Sequence, residues 1–123
     1  MDIDERFHPL IEGTSAAILV FDANQILYIN PASKTLTGRS ARELLGRSFL
    51  SLIHPRFRSR YESPAALAGG SHDQIQILRK NGDARWVELW LQPMLFRGNA
   101  ATLATIFDIH DLKESDLSRR EAE

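Results

Sequence analysis

The stretch QIQILRKNGDARWVELWLQPMLFRGNAATLATIF, Gln74 to Phe107, decides the fold. It reads as three β-strands joined by two tight turns. Asn81-Gly82 is a strong hairpin signal, because both central residues of the favoured two-residue turn need positive φ. Gly98-Asn99 marks a second such turn. The middle run, Arg85 to Phe96, alternates for much of its length. Val87, Leu89 and Leu91 take one face, while Trp86, Glu88, Trp90 and Gln92 take the other, which is the period of a half-buried strand. The flanking strands are read over Gln74–Arg79 and Ala101–Phe107. Turns this short impose antiparallel pairing.

Upstream, the chain repeats this pattern and then changes it. Ala16 to Phe21 is short and β-branched, Asp22-Ala23-Asn24 is a turn, and Gln25 to Ile29 is a strand, so the segment predicts a hairpin. Asn30-Pro31 then starts a helix: Asn is a good N-cap and Pro suits the first helical position. That helix runs over Ala32–Thr37 and stops at Gly38. Ser40 and Glu43 have the spacing of a capping box, followed by Leu44, Leu45 and a closing Gly46. Phe49–Ile53 adds one more turn before His54-Pro55. Residues 56–68 are ambiguous, since Phe57 and Tyr61 have helical spacing and Pro64 interrupts it. At the N-terminus, Ile3, Phe7, Leu10 and Ile11 form an apolar stripe on a short helix stopped by Gly13. After Asp108, the spacing of Ile109, Leu112 and Leu117 predicts an exit helix.

The predicted fold is therefore α+β: a five-stranded antiparallel sheet, short helices on one face, an N-terminal flanking helix and a C-terminal exit helix. The chain divides into a flanking helix over 1–13, a domain over 14–110 and the start of a signalling helix or linker over 111–123. With 123 residues it holds one domain and one ordinary core. Apolar residues at 43% and charged residues at 25% fit a globular domain. No apolar run approaches the ~20 residues of a membrane span, and Asp2, Asp4 and Glu5 stand where a secretory leader would be basic. A net charge of −1 gives no global attraction to nucleic acid or membrane. Without cysteine, disulfides, thiolate metal sites and cysteinyl photochemistry are excluded.

In order and spacing the chain resembles a PAS domain over nearly its whole length. The resemblance rests on Phe21-Asp22, Ile29-Asn30-Pro31-Ala32, Thr37-Gly38, Glu43-Leu44-Leu45-Gly46-Arg47, His54-Pro55, Arg79-Lys80-Asn81-Gly82, Arg85-Trp86-Val87-Glu88 and Asp108-Ile109. It implies a sensory and dimerising module within a longer signalling chain. It also implies an ion pair between Glu43 and Lys80, and a signal exit at Asp108 and Ile109. In haem-binding relatives the proximal His falls by position near Tyr61, so that ligand is missing here. In flavin-binding relatives polar side chains hold the ring edge, and those positions are Ile77, Val87 and Ile106 here. A flavin edge there would be buried unsatisfied, at about 1–3 kcal/mol per group.

The remaining candidates are weighed residue by residue. His54 before Pro55 has a structural role in the family pattern, and His8 and His72 lack a neighbouring second metal ligand. His110 stands where Thr or Ser is common in the exit motif. Leu19, Phe21, Ile75, Ile77, Val87, Leu89, Leu91 and Ile106 should line the helix-facing side, as a filled core or as a pocket for a small apolar ligand. On the opposite face Trp86, Trp90, Leu103 and Phe107 form an apolar strip that needs cover. Phe7, Leu10 and Ile11 would supply it, within one chain or across a homodimer. Arg39, Arg42, Arg47, Arg56, Arg58 and Arg60 read as a solvated basic face. No nucleophile elbow or phosphate-binding loop is present, so no catalytic residue, metal or cofactor is assigned.

The expectation is a sensory PAS module of a larger cytoplasmic, bacterial-type signalling protein, as in two-component systems. It relays a packing change to a histidine kinase, diguanylate cyclase or transcription regulator outside this chain. Two alternatives stay open: a pure dimerisation domain with a filled core, and a haem or flavin redox sensor.

Overall fold

The computed structural model of this chain describes residues 2–3, 16–67 and 70–122. Its elements are β1 (Asp2–Ile3), β2 (Ala17–Asp22), β3 (Gln25–Ile29), α1 (Pro31–Thr37), α2 (Ala41–Leu44), 3-10 turns over Phe49–Leu52 and Pro55–Tyr61, α3 (Pro64–Leu67), β4 (Ser71–Leu78), β5 (Ala84–Phe96), β6 (Asn99–Asp108) and α4 (His110–Ala122). The five long strands are antiparallel in the order β4-β5-β6-β2-β3. The two-residue β1 is a parallel addition beside Leu95 and Phe96 of β5. Asp2–Ile3 is thus strand, not the first turn of the expected 1–13 helix: pairing with β5 satisfies backbone groups that a short isolated helix satisfies poorly. Phe7, Leu10 and Ile11 lie outside the described residues.

Local chemistry accounts for the connections. Asn30 caps α1, its Oδ1 accepting from Ser33 N at 3.2 Å. The same side chain accepts from Ile18 N at 2.9 Å and donates to Ala16 O at 2.8 Å, which ties α1 to β2. Gly38 ends α1 at φ 70°, a conformation that costs glycine little. Both halves of the capping box on α2 are made, Ser40 N to Glu43 Oε1 at 3.0 Å and Glu43 N to Ser40 Oγ at 3.2 Å. The ambiguous 56–68 segment resolves into the second 3-10 turn and α3, each opened by a proline, Pro55 and Pro64. β4 begins at Ser71, earlier than its apolar pattern suggests. Its polar first half, Ser71 to Gln74, pairs with Leu91 to Glu88 through backbone bonds that need no apolar side chain.

One core lies between the sheet and the helices. Leu19, Phe21, Ile75, Ile77, Val87, Leu89, Leu91 and Ile106 all belong to it, with Leu36, Leu44, Phe49, Leu52, Phe57 and Tyr61 from the helical side. Phe21 and Phe49 stack at 4.3 Å. A second cluster, Val20, Met94, Phe96 and Leu103, sits on the other face of the sheet.

Candidate functional site

The eight inner-face residues are brought together as expected of one face, and each is 3% exposed or less. Large side chains fill this face as far as Leu91. Beyond it β5 and β6 run on past the end of β4, whose last pairing is Ser71 with Leu91. The paired inner positions there are Pro93 with Thr102. They are small or flat, so the core opens into a cleft of about 590 Å³. Its walls include Phe21, Leu50, Pro93 and Met94, and Asp22 and Glu62 bring carboxylates to it. Of the eight residues expected to line a pocket, only Phe21 borders this cleft. Ile106 borders another, of about 470 Å³, with Arg79, Arg85 and Asp108.

The expected outer strip of Trp86, Trp90, Leu103 and Phe107 is divided. Trp86 is half-buried and packs against the inner cluster, its ring meeting Phe57 edge-on at 5.8 Å. The reason is the 3-10 segment, which docks on edge strand β4 through His54 N to Gln76 O at 2.9 Å, and Gln76 pairs with Trp86. Leu103 is buried in the second cluster. Trp90 and Phe107 stay exposed, at 36% and 43%. Trp90 stacks on its cross-strand neighbour His72 at 3.7 Å, and its Nε1 donates to Glu88 at 2.9 Å.

Lys80 Nζ lies 2.7 Å from Glu43 Oε2, joining α2 to the hairpin. The hydrogen bond from Lys80, with the Ser40 backbone bond behind it, lowers the Glu43 carboxyl to about 2. Tyr61 is buried, and its phenol donates to Asp73 Oδ2 at 2.7 Å. Burial first, and then that carboxylate, push the phenol well above its ordinary value, so it stays protonated. His54 Nδ1 caps the second 3-10 turn by accepting from Arg56 N. Among the arginines, Arg56 and Arg60 lie over Phe57, Arg58 Nε donates to Ile53 O, and Arg60 approaches Asp73 at 4.0 Å. Among the described residues no group of three or more His, Cys, Asp or Glu could hold a metal.

At the exit the sheet and α4 are joined bond by bond. Arg85 Nε and Nη2 both reach Asp108 Oδ2 at 3.0 Å. Asp108 Oδ1 accepts from His110 N at 2.9 Å, at the start of α4. β6 ends at Asp108, opposite Val87, so Trp86 lies just beyond the last strand pair on that side. Ile109 N donates to Trp86 O at 3.1 Å, and the Trp86 amide donates to His110 Nδ1 at 3.1 Å. Lys113 finishes the contact, its Nζ 5.0 Å over the Trp86 ring and 3.2 Å from Gln74 Oε1. That Asp108 and Ile109 join the last strand to α4 was legible; the contact of His110 with Trp86 was not, because one histidine in a sequence does not show which amide it meets.

An antiparallel sheet with short helices on one face and a helix leaving its last strand is the architecture of the PAS fold. A profile of the PAS domain family matches residues 14–111, and the chain belongs to that family. Its sequence is 26% identical over 114 residues to the oxygen sensor protein DosP of Escherichia coli (strain K12), a match covering 85% of this chain and 14% of that protein. An RNA-binding light-oxygen-voltage receptor superposes with a TM-score of 0.75 at 27% identity, covering 98% of this chain and 39% of that one. A sensory box histidine kinase/response regulator from Burkholderia thailandensis E264 gives 0.68 at 25% identity, over 96% and 95%. The chain therefore spans a small part of DosP and well under half of the receptor. No helix among the described residues is long and apolar enough to cross a membrane.

Proposed function

We propose that this PAS sensory domain is the input module of a larger cytoplasmic signalling protein. A change in core or interface packing is passed through Asp108 and Ile109 into α4 and on to an effector. The observation that carries this reading is the exit junction, where Arg85, Trp86, Asp108, Ile109 and His110 are locked together by four hydrogen bonds of 2.9–3.1 Å and the Arg85–Asp108 ion pair. A rearrangement of β5 would reach α4 directly, and Asp111 to Leu117 of α4 are otherwise mostly polar and exposed enough to move. The effector is of the histidine kinase, diguanylate cyclase or regulator type, and the domain itself catalyses nothing.

The input on this reading is a small, largely apolar ligand, with the cleft beyond Leu91 as its natural seat. The domain carries no haem or flavin: Tyr61 is committed to Asp73, and Ile77, Val87 and Ile106 are apolar and buried. Exposed Trp90 and Phe107 favour a homodimer through the outer face. A pure dimeriser is the second reading, supported by how fully the face up to Leu91 is packed.

The test is a chimera in which residues 1–123 replace the input domain of a histidine kinase with measurable autophosphorylation. Breaking the junction with Arg85→Ala should change kinase output severalfold. Equal output with and without the Arg85–Asp108 pair would overturn the relay. Native mass spectrometry of the purified chain separates the two readings: a sensor retains a ligand mass that Thr102→Leu expels, and a pure dimeriser shows none.

A further inference from the structure

The junction contains one side chain that can accept a hydrogen bond when neutral and only donate when charged, His110. The Trp86 N–H can only donate, so His110 Nδ1, 3.1 Å away, must accept. That fixes the imidazole as neutral, with its proton on Nε2, which faces Glu114 Oε1 at 3.8 Å. The side chain is 23% exposed, enough for water to deliver a proton.

We propose that His110 is a proton-sensing site that couples acidification to release of α4 from the sheet. This rests on the relay reading and adds the proton as a ligand. On protonation both ring nitrogens become donors. Nδ1–H then opposes the Trp86 N–H, and the amide loses its acceptor at the point where β6 has ended. The imidazolium is drawn instead toward Glu114, four residues along the same helix. The surrounding charges are mixed. Glu114 and Asp111 of α4 and Asp108 of β6 favour the cation; Arg85 of β5, Lys113 of α4 and the positive end of α4 oppose it, and Gln74, the β4 group at this junction, is neutral. Arg85 is already engaged by Asp108, which blunts its repulsion. The neutral ring therefore clasps β5, and the charged ring favours its own helix.

A hydroxyl or carboxamide in this place would accept the same amide at every pH, so the pH response belongs to the imidazole alone. His110→Asn puts an amide oxygen near the position of Nδ1, and His110→Ala removes the acceptor. The measurement is 15N NMR of the chain, following the Trp86 amide resonance and the protection factors of α4 across the range where histidines titrate, roughly pH 5 to 8. In the wild-type chain, acidification should move the Trp86 resonance and lower α4 protection by about fivefold to tenfold, the loss of one net hydrogen bond or slightly more. His110→Asn should hold the high-protection state throughout, and His110→Ala the low one. A Trp86 amide that does not titrate, or identical pH profiles for the wild-type chain and His110→Asn, would overturn the proposal. Arg85→Ala keeps the two claims apart. If it loosens α4 at every pH, the relay stands whatever His110 does; if it leaves α4 unchanged, the relay itself fails.

Discussion

Replacing Asn30 with alanine should destabilise this domain far more than the loss of an ordinary helix cap. The residue is 1% exposed, and its side chain accepts from Ile18 N, Ser33 N and Ser33 Oγ and donates to Ala16 O. A cap alone is worth about 1 kcal/mol. The Ile18 amide and the Ala16 carbonyl are on or beside β2, and with Asn30 gone each loses this partner, at about 1–3 kcal/mol for a buried group left unpaired. The sum is roughly 3–5 kcal/mol, allowing for one group being partly rescued by water. Asn30→Asp keeps an acceptor but sets a buried carboxylate oxygen against the Ala16 carbonyl, so it too should cost more than the loss of a cap. Urea unfolding followed by tryptophan fluorescence gives both numbers, read as shifts of midpoint at constant slope. An Asn30→Ala cost near 1 kcal/mol would show that the side chain is only a cap and that β2 and α1 are joined by something else.

Further outcomes follow from other contacts. The Glu43 carboxyl, lowered to about 2, should contribute stability above its unfolded value near 4.5 and lose that contribution as pH falls from there toward 2. Glu43→Gln should flatten that part of the acid limb of the urea midpoint, and an unchanged limb would mean the Lys80 pair is not maintained in solution. Trp90→Glu should shift the protein to monomer in sedimentation at micromolar concentration, as should Phe7→Asp with the fold intact; a wild-type monomer would remove the outer face as a dimer surface. An absorption spectrum of the purified chain should show only the aromatic band, and a Soret or flavin band would restore the redox-sensor reading.

How much of this was legible in the sequence depended on range. Asn30-Pro31 and Ser40 with Glu43 act over a few residues, and each matches its element; Asn81-Gly82 does mark the hairpin, but within a five-residue connection over 79–83 where Asn81 is not at positive φ, and the second turn is Arg97-Gly98, with Asn99 already paired to Phe96. The inner face of β5 was legible because strict alternation leaves no other choice for Val87, Leu89 and Leu91. The 3-10 segment was not, because Phe57 and Tyr61 have the spacing of an α-helix while Pro64, which opens the next helix, reads as a break. That omission carried over to Trp86: alternation places it on the outer face, but Phe57 reaches it around the edge of β4. Met94 and Phe96 were missed as core because their cluster is completed by Val20 of β2, far away in sequence. The cleft beyond Leu91 follows from unequal strand lengths, and no single residue announces it.

Hydrogen exchange along α4 tests the central claim most directly. The claim is that the helix is held by β5 through the Arg85–Asp108 pair and the clasp on Trp86. Arg85→Ala should speed exchange through residues 110–117 while leaving the β2 and β6 core amides protected. Exchange in α4 that is the same in both proteins would contradict the account, because the exit helix would then be insensitive to the strand that is said to drive it.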